Sequence, residues 1–250
     1  MLLCAGCGFT ASDVGDAGRS IDGPHELRGV IARWEMDEPS GDVVHDTGRG
    51  PALDLMIDDP SRVTWGAGAL GITAPARIRS AGPASTIYDA CRMSNRLTIE
   101  AWVTPDSGMQ VGPARIATVS ADGFERNLML AQTNRRWVFR VRTSSTDGNG
   151  NPELVTPELI PLAARPRSHV VGVLDGNTRL IYVDGAEAAR DAKGGTLQSW
   201  NAGFPVVIGN ELVDDVSGPR HWLGEIERIV IYDRALTATE IHTLYLLGPR

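Results

Sequence analysis

The chain has 250 residues, a net charge of −7 and a pI near 5.2, which excludes the clustered Lys and Arg of a nucleic-acid footprint. Its 28 glycines and 15 prolines suit many short strands better than long helices, and 42% hydrophobic residues supply a sizeable core. No uninterrupted apolar run reaches the roughly 18–20 residues that span a bilayer, so a lipid anchor is the one membrane attachment to consider.

The start, "MLLCAGCGFTAS", has a small residue before Cys7 and a polar, Gly/Asp-rich stretch after it. It resembles the lipobox end of a bacterial lipoprotein signal. In that reading Cys7 is acylated and becomes the mature N-terminus, and the protein is exported, either lipid-anchored to the cell envelope or secreted. The other reading is a frayed terminus in which Cys4 and Cys7 are incidental thiols. Residues 8–24 are polar and aperiodic, the pattern of a tether, so 1–24 reads as signal remnant and tether and 25–250 as one domain. Cys91 is left without a partner and reads as a small buried hydrophobe; three cysteines give no metal spacing.

From Leu27 onward, short apolar runs recur between turn signals. "RGVIARWEM" (28–36), "PALDLMI" (51–57) and "RLTIEAWVTP" (96–105) come first. "RIATVSADG" (115–123), "NLMLAQ" (127–132) and "RWVFRVRT" (136–143) follow. "HVVGVLDGN" and "TRLIYVDGAEAA" form a hairpin around Asp175-Gly176-Asn177, with a second turn at Asp184-Gly185. "FPVVIGN" (204–210) and "HWLGEIERIVIYD" (221–233) complete the strands. The spacing, mostly about 8–12 residues and nearly helix-free until the end, predicts an all-β sandwich. The end itself predicts a helix. Thr237 and Glu240 make a T-x-x-E capping box, Leu236 and Ile241 a hydrophobic staple, and Gly248-Pro249 the stop.

Four segments in order resemble the LamG-like jelly roll of the concanavalin A-like lectin/glucanase group. They are "ARWEMDEPSGDVVHDTGRGPALDL", "LTIEAWVTP", "RSHVVGVLDGNTRLIYVDG" and "VVIGN…WLGEIERIVIYDRALTATEI", which together cover about residues 28–247. The resemblance implies an all-β, two-sheet antiparallel jelly-roll sandwich with a short C-terminal helix, and often a structural calcium. It implies no single function, because the group includes lectins, protein-binding modules and glycoside hydrolases.

The candidate sites follow from the residues. Glu225 and Glu227 begin like the E-[IL]-D-x-x-E motif of laminarinase-related glycosidases, but Ile229 or Val230 fills the second catalytic position, so no catalytic residue is assigned. Straight alternation puts Glu227 on one face with Ile229 and Ile231, and Ile226, Arg228, Val230 and Tyr232 on the other. A carboxylate at a core edge needs an Arg partner or a metal. Two readings of Glu227 therefore stand: a salt bridge, or a Ca²⁺ site shared with Asp37, Asp46 and carbonyls of "DTGRG". Asp46 before Gly48 is also what a simple turn selects. Trp34, Trp102 and Trp137 sit in strand patterns and read as core, and Trp222 as packing. Trp65 in "VTWGAG" and Trp200 in "LQSWNAG" are candidates for a sugar-stacking platform. His169 reads as a packed, hydrogen-bonded strand residue. The expected function is a non-catalytic module that binds carbohydrate or an extracellular protein. The alternatives are a glycoside hydrolase or polysaccharide lyase with a divergent site, and a structural envelope protein.

Overall fold

The computed structural model describes residues 28–162, 165–213 and 220–249; the tether, Cys4 and the acylation candidate Cys7 lie outside them. Among the described residues, sixteen strands run in chain order. They are β1 (Val30–Trp34), β2 (Val43–Val44), β3 (Leu55–Ile57), β4 (Val63–Gly66), β5 (Ala69–Ile72), β6 (Ile78–Ser80), β7 (Arg96–Pro105) and β8 (Ala114–Ser120), then β9 (Arg126–Thr133), β10 (Arg136–Val141), β11 (Leu154–Val155), β12 (Ser168–Asp175), β13 (Thr178–Val183), β14 (Ala186–Asp191), β15 (Val206–Ile208) and β16 (Gly224–Tyr232). Among the described residues, two α-helices, α1 (Ser85–Ser94) and α2 (Ala238–Leu247), and a short 3-10 turn at Pro60–Arg62 complete the fold.

The strands form two eight-stranded sheets, and every pairing is antiparallel. The first runs β14-β13-β12-β7-β16-β5-β4, with β1 beside β16; the second runs β11-β10-β9-β8-β15-β6-β3-β2. This is the jelly-roll sandwich expected. Strand β16 organises the first sheet. One edge lies along β7, while its other edge is shared by β5 at Gly224–Ile226 and β1 at Ile229–Tyr232.

Alternate residues of both sheets meet in one apolar core that includes Trp34, Trp137, Phe139, Leu70, Ile226 and Trp222. Gly172 lies on the inner face of β12 because Phe139 of the opposite sheet occupies its side-chain space; a Cβ there would come within 2.6 Å of the ring. A second apolar cluster lies on the outer face of the first sheet. Val171, Val173, Tyr182, Val230 and Tyr232 are covered there by Leu236, Ile241 and Leu244 of the α2 region. The Thr237 hydroxyl accepts the Glu240 N–H at 3.3 Å and the Glu240 carboxylate accepts the Thr237 N–H at 2.8 Å, so the capping box forms as expected. Helix α2 thus turns half of an outer sheet face into a buried interface.

Helix α1 is an addition to a chain expected to be nearly helix-free before its end. Only Ile87 and Cys91, one turn apart, are buried on it, and no side chain caps its N-terminus. It ends at Asn95 in the left-handed region, φ 55°. Cys91 is free and fully buried, and burial pushes its thiol above the usual range.

Candidate functional site

The strand "GEIERIVIY" does not alternate evenly. Its register against β7 shifts between Ile226 and Arg228, leaving Glu227 as the extra residue of a β-bulge. Ile226, Ile229 and Ile231 therefore all face the inter-sheet core, and Arg228, Val230 and Tyr232 face outward. This corrects the even alternation expected, which put Ile226 outward and Glu227 with the isoleucines. Glu227 instead turns to the surface, where both its oxygens accept from Arg167, at 2.6 and 2.7 Å. The Arg167 guanidinium in turn lies over the Trp102 ring, 4.7 Å from its centre.

Behind this surface pair is a buried charge cluster that the sequence did not single out. Glu100 on β7 is wholly buried and accepts from Arg228 Nη2 at 2.6 Å and from the Tyr232 hydroxyl at 2.8 Å. His169 Nε2 is 3.2 Å from the same carboxylate, and because an ionised Glu only accepts, Nε2 carries the proton. Burial alone would raise the Glu100 pKa; the Arg228 charge and the His169 and Arg228 hydrogen bonds reverse this and hold it at about 2. Trp102 belongs to this outer cluster, not to the inter-sheet core. Its ring stacks on His169 at 4.7 Å and on Tyr245 of α2 at 6.1 Å. The His169 expectation holds. Arg228 Nη1 donates to the Pro249 carbonyl, tying the chain beyond α2 to the same cluster.

The outer face of the second sheet carries another buried network. Glu211 accepts from Arg115 Nε at 3.1 Å and from the Ser120 hydroxyl, and lies 3.5 Å from Arg126 Nη2. Burial first, then neighbouring guanidiniums, lower the pKa values of Arg115 and Arg126 to about 9 and about 10, so both stay cationic at neutral pH. In both networks the carboxylate is internally paired and closed to solvent.

Beyond the reach of α2, the outer face of the first sheet opens. Register pairs Gly71 of β5 with Glu225 of β16 on one side and with Thr64 of β4 on the other. The missing side chain at Gly71 leaves a floor between them; a Cβ there would lie 2.5 Å from Thr64 Oγ1. Thr73, Asp106, Arg165, Ile72 and Leu223 extend these walls into a groove of about 250 Å³. Asp106 is fixed by its own N–H, which donates to the Leu223 carbonyl at 3.0 Å. Arg165 stands between the two acids, Nε 3.5 Å from Asp106 Oδ1 and Nη2 3.5 Å from Glu225 Oε1. Among the described residues, neither carboxylate accepts a hydrogen bond. Both are about half exposed, so their acceptor capacity faces the groove.

A larger cleft, about 470 Å³, lies where β10, residues 157–161 and Pro166 approach the β13–β14 turn. Its walls include Trp137, Pro157, Leu159, Pro161 and Val183. Its polar groups are already engaged. Asp184 accepts the His169 N–H at 2.9 Å, and Glu187 pairs with Arg190 at 2.5 Å.

The expected calcium ligands do not come together. Asp46 Oδ1 accepts the N–H groups of Arg33 and Gly48, both at 2.8 Å, and its Oδ2 accepts that of Leu53 at 2.9 Å. Asp37 is exposed, and Glu227 is saturated by Arg167. Oxygens aimed at N–H donors do not fit the all-oxygen shell of Ca²⁺. Among the described residues, no group of three His, Cys, Asp or Glu side chains could hold a metal ion. The turn and salt-bridge readings of Asp46 and Glu227 are the ones the geometry bears out.

The expected aromatic platform is also corrected. Trp200 is 4% exposed and packs into the inter-sheet core, with Nε1 donating to the Arg142 carbonyl at 2.8 Å. Trp65 is half-buried against the same core and donates to the Gly41 carbonyl at 2.9 Å. It lies on the opposite face of β4 from Thr64, so neither ring lines the groove. Trp222 is fully buried, as its packing role predicts.

A family profile described as the concanavalin A-like lectin/glucanases superfamily matches residues 80–242. Among solved structures, the chain is similar to a Trypanosoma rangeli sialidase in complex with 2,3-difluoro-KDN. That match has a TM-score of 0.63 at 20% identity and covers 89% of this chain and 33% of the sialidase. It is also similar to the receptor binding domain of a botulinum neurotoxin C/D mosaic serotype. There the TM-score is 0.63 at 11% identity, with 88% of this chain and 51% of the toxin chain covered. The chain thus spans about a third and about half of these proteins, and at such identities the likeness is one of fold. No curated protein matches the chain.

Proposed function

The chain belongs to the concanavalin A-like lectin/glucanases superfamily, and from that membership and the open groove we propose that it is a non-catalytic carbohydrate-binding module. The observation that carries the reading is the state of its acids. The buried and bulged carboxylates, Glu100, Glu211 and Glu227, are saturated by internal donors. Asp106 and Glu225 keep theirs for a ligand, beside the guanidinium of Arg165 and the walls at Thr64 and Thr73. A sugar offers hydroxyl donors and acceptors in dense array, which is what such a mixed polar groove complements. The partly exposed Leu223 supplies apolar contact for a ring face.

The decisive experiment is a glycan array probed with the full chain and with Asp106→Ala/Glu225→Ala. Binding by the first and its loss in the second is the expected result. Absence of any binding overturns the reading, as does release of reducing ends from a bound glycan that Glu225→Gln abolishes. The second result would make the chain a hydrolase. A second reading, an extracellular protein ligand, draws on the 470 Å³ cleft, whose proline- and leucine-lined walls suit an apolar side chain better than a sugar. Export with lipidation at Cys7 is part of the same proposal and rests on "LLCAGC" alone.

A further inference from the structure

The charge of the groove restricts which sugars it can hold. Resting on the carbohydrate reading above, we infer that the groove over Gly71 accepts neutral and amino sugars and rejects carboxylated ones. Two carboxylates, Asp106 and Glu225, face it against one guanidinium, Arg165. Arg165 stands 3.5 Å from each acid, so its charge is shared between two carboxylates before any ligand arrives. A guanidinium that recognises a carboxylate presents its fork unencumbered, whereas this one is flanked on both sides. The next cation along this face, Arg167, has its Nε and Nη2 committed to both oxygens of Glu227 and its plane to Trp102. A uronate or other carboxylated sugar therefore enters a site of net charge −1, where the one guanidinium already stands beside two carboxylates. An ammonium group on the ring meets two carboxylates that accept no other hydrogen bond.

One net charge at about 5 Å in a half-exposed groove corresponds to about five- to tenfold in affinity for each unit of ligand charge. The effect weakens with salt because the groups are solvent-accessible.

The test is calorimetric titration of the full chain with two matched sets. One is glucose, glucosamine and glucuronate; the other is galactose, galactosamine and galacturonate. Within a set that binds, the expected order is amino above neutral above acid, each step about five- to tenfold and compressed at high salt. Asp106→Asn/Glu225→Gln should abolish the preference for the amine and admit the acid, while melting as the parent does. A purely structural role for the two acids would not reverse a charge preference in this way. An acid sugar bound as tightly as its neutral counterpart, with binding lost in Gly71→Val, overturns this inference but leaves the carbohydrate reading standing. No binding in either set, together with a silent array, overturns both.

Discussion

Replacing Glu100 by Gln keeps the shape of the side chain and removes its charge, which leaves Arg228 buried against the sheet without the carboxylate it is hydrogen-bonded to. The structure sets the size of the loss. The folded protein holds the Glu100 pKa at about 2 against an ordinary 4.5, and at about 1.4 kcal/mol per pH unit this is roughly 3 kcal/mol. Breaking a buried ion pair by removing one partner costs a similar amount, about 3–5 kcal/mol. The pKa is depressed on folding, so the stabilisation is fully present above pH 4.5 and is lost as pH falls from there through about 2. Urea unfolding at a series of pH values, run on parent and variant together, reads this directly. At pH 7 the variant should be less stable by roughly 3 kcal/mol, about 6–12 °C in melting temperature for a domain of this size. Below pH 4.5 the two curves should converge. The double variant Glu100→Gln/Arg228→Met removes the stranded cation and should recover part of the loss. A Glu100→Gln protein within about 1 kcal/mol of the parent at pH 7, or a gap that does not close in acid, would refute the assignment of Glu100 as the charge that holds this cluster.

Trp200→Ala should destabilise the chain by about 3–5 kcal/mol in chemical denaturation, because it empties a core site and strands the Arg142 carbonyl. Glycan binding scaled to the folded fraction should not change; a loss of affinity in fully folded protein would return Trp200 to the ligand. Thr237→Ala should cost about 1 kcal/mol and raise amide exchange in the first turn of α2, since it removes half of the capping box. Unchanged exchange there would mean that packing of Ile241 and Leu244, not the cap, fixes the start of the helix. Glu227→Ala should cost less than about 1 kcal/mol, as for other exposed pairs. Neither Ca²⁺ nor EDTA should move the melting temperature of parent or variant, and a calcium-dependent rise lost in Glu227→Ala would restore the metal site.

Much of the sandwich was legible in the sequence because its signals are local. Gly176-Asn177 and Asp184-Gly185 are turn pairs between β-rich runs, and both turns form where expected. The T-x-x-E box and its staple mark α2 to the residue. Helix α1 was not legible, since two inward residues in ten and no side-chain cap make too faint a stripe. The phase of β16 was misread because a bulge depends on the partner strand. Nothing in "GEIERIVIY" alone announces that β7 skips a residue opposite Glu227. Glu100 was passed over for a related reason. A charged residue at an outward position of "RLTIEAWVTP" looks solvated until α2, more than 130 residues later, is laid over it.

The same dependence on covering elements separates the two glutamates of "GEIE". Evenly spaced, Glu225 and Glu227 would share a face and an environment. The bulge aims Glu227 at Arg167, whose aromatic seat on Trp102 is itself braced by Tyr245 of α2, so that carboxylate is spent on the fold. Glu225 precedes the bulge, beyond the helix and opposite a glycine, and among the described residues its ion pair is with a guanidinium that it shares with Asp106. The presence of an acid on a strand therefore says little about its role. Whether donors within the fold have already filled its lone pairs says much more, and by that criterion Asp106 and Glu225 are, of the four acids Glu100, Asp106, Glu225 and Glu227, the two left for a ligand.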